Sequence, residues 1–173
     1  MSESGVRYTF MESPVGRLMV AWTDEGVVSI RFGPILEAHG PDPAWRFVPD
    51  ARGAVVEQLE GYFRGALRAF DVPVVMRGTA FQREVWNAVA RIPYGETRSY
   101  AEVAESIGRP RAVRAVGAAN GSNDIPIVIP CHRVIGKGGE LRGYAGGVDL
   151  KERLLRLERG SRDRGRVVPA PPM

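Results

Sequence analysis

Near Gly78 the sequence changes its punctuation, and that change limits the folds open to it. Before that point apolar stretches are short and cut by tight turns. Residues 6–12 mix apolar and polar side chains, and S-P-V-G follows. Residues 17–23 read R-L-M-V-A-W-T, D-E-G turns the chain, and residues 27–32 read V-V-S-I-R-F. Runs of this kind between Pro/Gly turns predict a three-stranded antiparallel meander. Residues 33–50 predict a loop. Residues 51–63 predict a helix, with Val55, Leu59, Tyr62 and Phe63 at helical spacing. Residues 69–75 predict one more strand.

After Gly78 the signals are helical. Thr79 and Gln82 in T-A-F-Q form a capping-box pattern, and Phe81, Val85, Ala88, Val89 and Ile92 mark one helical face. I-P-Y-G-E-T interrupts. Ser99 with Glu102 repeats the capping pattern and opens a helix over residues 100–107, which Gly108 closes. Arg109-Pro110 is expected to start a third helix, proline being tolerated in the first turn, and this helix runs to about Asn120. Two short helices joined by a Gly-containing turn make a helix-turn-helix. An extended run then leads into P-C-H-R-V-I, a G-K-G-G turn and a return strand over residues 141–144. Residues 148–159 predict an amphipathic helix with Leu150, Leu154 and Leu157 inward. The fold class is therefore α/β (α+β): a small N-terminal antiparallel-sheet domain over residues 1–77 and a mainly helical domain over 78–159. Residues 160–173, rich in arginine and proline, predict a disordered tail.

At 173 residues the chain can bury a core without staples. Its single cysteine rules out an internal disulfide. No basic start with an apolar core opens it, and no apolar run approaches ~20 residues. A reducing cytoplasm is expected, with no membrane partner. The net charge is +4, and of 24 basic residues only Lys137 and Lys151 are lysines. Arginine suits phosphate and base contacts, but a GC-rich coding sequence also produces it, so charge permits a nucleic-acid partner without requiring one.

The third helix reads P-R-A-V-R-A-V-G-A-A-N-G. Val113 and Val116 can face a core, while Arg111, Arg114, Gly117 and Ala118 group on the other side. Small residues around Arg114 fit two situations: close approach to a grooved partner, or tight helix–helix packing.

Cys131 and His132 are the one pair that suggests chemistry. A cysteine attacks as thiolate, and its ordinary pKa of ~8.5 must be lowered or a base supplied. His132 can be that base. A third group, often a carboxylate, usually orients such a histidine, and spacing does not identify it. Adjacent residues of a strand point to opposite faces, so a bend at Pro130 or a bridging water is needed to join the two. A buried structural thiol is the alternative. Cys131, His132 and distant His39 match no zinc spacing, so no metal is expected.

The runs F-Q-R-E-V-W, I-P-Y-G-E-T-R-S-Y, I-G-R-P-R-A-V-R-A-V-G-A-A-N-G-S-N, I-P-C-H-R-V-I, L-R-G-Y-A-G-G and K-E-R-L-L-R-L-E stand in this order over residues 81–158. Together they resemble the O6-alkylguanine-DNA alkyltransferases. The N-terminal half matches in general character only. The resemblance implies irreversible transfer of an alkyl group from O6-alkylguanine in duplex DNA to Cys131, once per molecule and without a cofactor. It implies that His132 is the base, acting through a water, and that Glu158 orients it. It implies that Tyr100 hydrogen-bonds the guanine ring and presses on the 3′ phosphate, and that Asn123 braces the turn before the cysteine. Arg111, Ala112, Arg114, Ala115, Gly117 and Ala118 become a minor-groove face, with Arg114 filling the gap left by a flipped base. Pro126, Val134, Tyr144 and Ala145 become the guanine pocket. A monomer is implied, with cooperativity on DNA left open. A non-catalytic protein that flags alkylated DNA for another pathway is the alternative, and the presence of Cys131 argues against it. Two positions depart from some relatives. Ala145 stands in place of serine and loses a hydroxyl, and Asp124 in place of proline leaves an acid near the expected DNA face. The zinc ligands of some relatives have no counterparts.

Overall fold

The computed structural model describes residues 5–144 and 146–165, from 161 onward as backbone. The meander forms: β1 (Arg7–Met11), β2 (Leu18–Thr23) and β3 (Gly26–Phe32) pair antiparallel. Strand alternation sends side chains to two faces. Leu18, Val20, Ile30 and Phe32 enter the main core, whereas Met19, Ala21 and Val28 join Val6 in a smaller cluster.

Two expectations for this half are corrected. Residues 33–50 are not a plain loop. They hold α1 (Gly33–His39), with Pro34 preset for the first turn, and a two-residue strand, β4 (Arg46–Phe47). β4 lies parallel to β1 and gives the sheet order β3-β2-β1-β4. The physical cause is the open sheet face: Leu36 and Trp45 cover its small apolar cluster. The strand expected over 69–75 shrinks to one bridge, Val74 on Val27. Pro73 brings no N–H to a ladder. Its carbonyl accepts from Val27 N at 2.9 Å, next to Gly26, where a Cβ would lie 2.4 Å from that oxygen. α2 (Ala54–Phe63) then packs Val55, Val56, Leu59 and Tyr62 inward.

Both capping boxes are present, Thr79/Gln82 on α3 (Ala80–Ala90) and Ser99/Glu102 on α4 (Tyr100–Ser106). α5 (Val113–Gly121) starts later than expected. Gly108, at φ 72°, closes α4, and Arg109 N bonds the Ala104 carbonyl at 2.9 Å. Pro110, Arg111 and Ala112 therefore lie in the connecting turn, not in the helix. The return strand over 141–144 is absent. Its expected partner, β6 (Val134–Ile135), pairs parallel with β5 (Arg98–Ser99) instead. α6 (Val148–Gly165) continues past Arg159. Arginine is a good helix former, and no proline interrupts before Pro169, so residues 160–165 are helical. Residues 166–173 of the expected tail lie outside the described residues. One hydrophobic cluster joins Phe32, Leu59 and Tyr62 to Val85, Val116, Ile125 and Leu154. Among the described residues no helix is long and apolar enough to cross a membrane.

Candidate active site

Cys131, His132 and Arg133 form a single 3-10 turn rather than an extended strand. Adjacent side chains on such a turn diverge by about 120° instead of opposing each other. The chain bends ahead of it at Ile127, whose φ of 73° is strained for a β-branched residue. Asn123 holds this bend. Its Oδ1 accepts from Ile125 N and its Nδ2 donates to the Ile129 carbonyl, both at 2.9 Å. Asp124 meets the sheet through its backbone: its carbonyl accepts from Ile30 N at 2.9 Å, and partial burial raises its carboxyl pKa against the opposing pull of Arg31 and Arg77.

Four titratable or charged side chains are buried at the turn: His132, Lys151 and Glu158 at 0% exposure and Arg133 at 5%. Buried charges must be paired and hydrogen-bonded, and Glu158 is the hub. Its Oε1 accepts from His132 Nε2 at 2.6 Å, Arg133 Nη2 at 2.9 Å and the Tyr62 hydroxyl at 2.8 Å. Its Oε2 accepts from Arg133 Nε at 3.0 Å and Gly95 N at 3.2 Å. Burial raises the Glu158 pKa, but the bonds and charges of His132 and Arg133 outweigh it and hold the group at about 2. Glu158 is thus an acceptor only, and His132 must carry its proton on Nε2. The lone pair then sits on Nδ1, which is buried without a hydrogen-bond partner. Burial, Arg133 and Lys151 lower the His132 pKa against the pull of Glu158, so the ring is a neutral base. Burial pushes the Cys131 thiol up, while Asn123, Lys151 and Tyr144 pull it back. A thiol of this kind becomes a thiolate when a neighbour takes its proton.

Tyr100 opens α4. Its hydroxyl reaches the Arg142 carbonyl at 3.5 Å, and burial and Cys131 raise its pKa, so the phenol remains a donor. A Cβ on Gly117 of α5 would lie 3.8 Å from the Tyr100 ring. Arg114, Ala115 and Ala118 are exposed on α5, while Val116, Ala119 and Asn120 are buried behind them. Arg111, also exposed, and half-buried Ala112 precede that helix. Val134 is fully buried beside the turn, and Tyr144 packs its ring on Phe32 at 5.8 Å. Pro126 is buried within the braced bend. Ala145 lies outside the described residues.

Sequence reasoning missed four residues here. Arg133 stood inside P-C-H-R-V-I without a role, and Asn120 links α5 to the Cys131 carbonyl at 3.2 Å. Tyr62 gave no signal beyond helical spacing. Lys151 did carry one, as one of two lysines among many arginines. Its ammonium donates to the Arg142 carbonyl at 3.0 Å and lies 5.8 Å from the Tyr100 ring centre. Burial lowers its pKa and Cys131 raises it. No set of three His, Cys, Asp or Glu among the described residues could hold a metal.

Fold and site together define a thiol–imidazole–carboxylate protein built around a helix-turn-helix. The description "6-O-methylguanine DNA methyltransferase, ribonuclease-like domain" matches residues 6–76, and "6-O-methylguanine DNA methyltransferase, DNA binding domain" matches 80–160. The methylated-DNA--protein-cysteine methyltransferase of Mycolicibacterium paratuberculosis is 50% identical over 89% of this chain and 93% of its own. That of Methanosarcina acetivorans is 47% identical over 87% and 97%. The crystal structure of Mycobacterium tuberculosis OGT in complex with DNA superposes with TM-score 0.83 at 47% identity, over 90% of this chain and 94% of that one. The chain belongs to the methylated-DNA--protein-cysteine methyltransferase family.

Proposed function

We propose that this protein repairs DNA by moving the alkyl group of O6-alkylguanine onto Cys131, once per molecule. The observation that carries the reading is the buried relay. An ionised Glu158 fixes the His132 proton on Nε2, which leaves a basic Nδ1 on the residue that follows the only thiol of the chain. His132 Nδ1 takes the thiol proton through one water, which also satisfies that buried nitrogen. The thiolate attacks the alkyl carbon in line. An S–C bond forms, the C–O6 bond breaks, and its electron pair stays with guanine. The proton gained by the guanine ring balances the one lost by the thiol. Tyr100, a retained donor, hydrogen-bonds the ring and improves the leaving group. The product thioether has no easy return to thiol, so turnover stops at one.

The partner is double-stranded DNA. The α5 face with Arg114, Ala115, Gly117 and Ala118, extended by Arg111 and Ala112, enters the minor groove, which is only ~6 Å wide and suits small side chains. Arg114 fills the gap as the lesion flips out, at a cost of a few kcal/mol. Val134, Tyr144 and Pro126 line the guanine pocket, and Asn123 keeps the cysteine turn in place. Residues 1–77 and 78–159 act as two domains. The protein works as a monomer in the reducing cytoplasm and needs no cofactor.

The test is to incubate the protein with an O6-methylguanine duplex and weigh it intact. One methyl adduct on Cys131, at one equivalent per protein, is expected. Several turnovers per protein would overturn the mechanism. Tight lesion binding with an unmodified Cys131 would leave a lesion-flagging protein instead.

A further inference from the structure

The residue that the relay does not account for is Tyr62. It belongs to α2, in the half of the chain far from Cys131 in sequence, yet its hydroxyl donates to Glu158 Oε1 at 2.8 Å across 96 residues. Its ring already has a packing role, with Phe63, Phe70 and Tyr94 at 5.3, 5.6 and 6.0 Å between centres. Phenylalanine would serve that role equally well. The hydroxyl is fully buried, and Glu158 is its one hydrogen-bond partner among the described residues. Burial and Glu158 raise the Tyr62 pKa well above its ordinary value, so it remains a donor throughout the working pH range.

We infer that Tyr62 is a positioning residue of the relay. Its hydroxyl shares Oε1 with His132 Nε2, and Arg133 spans both oxygens. These donors spread the carboxylate charge, so less of it is available to stabilise an imidazolium. The ring then stays neutral, and Nδ1 stays available for the thiol proton. The charged and titratable groups around His132 are Glu158, Arg133 and Lys151, with Tyr62 and Cys131 beside them. Of these, Tyr62 alone comes from the N-terminal half. That half thus sets the protonation state of a base it does not contain. The inference rests on the alkyl-transfer reading above.

The experiment compares wild type with Tyr62→Phe in single-turnover transfer from an O6-methylguanine duplex, from about pH 5 to about pH 9. Removing the donor concentrates charge on the His132 side of Glu158 and makes the imidazole more basic. The acid limb of the rate profile is expected to move up by roughly half a pH unit or more. DNA affinity should stay within about twofold. An unmoved limb, or a rate lowered by one factor at every pH, would overturn the inference and leave Tyr62 a packing residue. If Tyr62→Phe does not fold, 3-fluorotyrosine at position 62 replaces it, and the His132 ring of both proteins is titrated by 15N shifts. The more acidic hydroxyl donates more strongly to Glu158, so a lower His132 pKa than in wild type supports the inference, and an unchanged one overturns it. A wild-type protein that takes no methyl group refutes the transfer reading, and the two 15N titrations compared with each other still decide the role of Tyr62.

Discussion

Arg114 stands exposed on α5 among alanines and a glycine, whereas Arg133 is 5% exposed and commits Nε, Nη1 and Nη2 to Glu158 and the Ile92 carbonyl. The two arginines sit 19 residues apart in the sequence and face opposite demands. On the function proposed above, the first meets a large polyanion, where each contact adds affinity that salt can screen. The second is spent inside the protein, where breaking one bond strands a buried charge. Surface and interior therefore fail differently. Damage to the α5 face should slow only reactions that need duplex DNA. Damage to the buried cluster should slow every alkyl transfer, whatever carries the alkyl group.

Glu158→Gln is the strongest way to separate the two regions. It leaves Arg133 buried without its anion, which typically costs about 3–5 kcal/mol. Melting should fall by roughly 10 °C. Transfer should drop about 10²–10⁴-fold on duplex and on free O6-benzylguanine alike, measured as adduct formation over time. The same variant should lose an acid response. The folded pKa of Glu158 lies near 2 against an ordinary 4.5, so its contribution to stability is present above pH 4.5 and fades as pH falls toward about 2. Denaturant midpoints over that window should fall less steeply in Glu158→Gln than in wild type. A preserved slope would place the acid response elsewhere.

Lys151→Met is expected to act next most strongly. Its charge is one of the influences that pull the thiol pKa back down, so removing it should raise the iodoacetamide-measured thiol pKa by roughly one unit. Transfer should fall about tenfold near pH 7 and recover as pH rises. A loss that persists at high pH would make Lys151 a structural prop. Arg114→Ala should have the smallest and most selective effect. Duplex repair should fall about fivefold, within the few kcal/mol that base flipping costs. Reaction with free O6-benzylguanine should stay within about twofold. Equal losses on both substrates would erase the distinction between face and interior.

The exposed face was more legible in the sequence than the interior. The two capping boxes and the Gly108 stop located α3 and α4, because local hydrogen bonds leave a short-range pattern. The α5 start was misplaced because Pro110 fits a first helical turn and an interhelical turn equally well. Cys131, His132 and Glu158 stood out through resemblance to a family, not through spacing. Tyr62, Arg133 and Lys151 gave little or no local signal, since their roles come from contacts over 9 to 96 residues. Burial decides what such side chains do, and burial is a property of the folded whole. The helix at residues 33–39 was missed for a related reason: it forms against a sheet face whose openness the local sequence does not report.

The hub at Glu158 also sets an order of events during synthesis. Tyr62 leaves the ribosome first, Cys131 and His132 follow, and the carboxylate comes 26 residues after the histidine. Until α6 docks, the imidazole lacks its Glu158 partner and, on the proposed relay, the thiol lacks an oriented base. A nascent chain therefore keeps its single nucleophile idle. On the proposed relay it becomes reactive only when the helix bearing Glu158 has closed over residues from both halves of the molecule, so completion of folding would itself be the safety catch on a reagent that can be fired once.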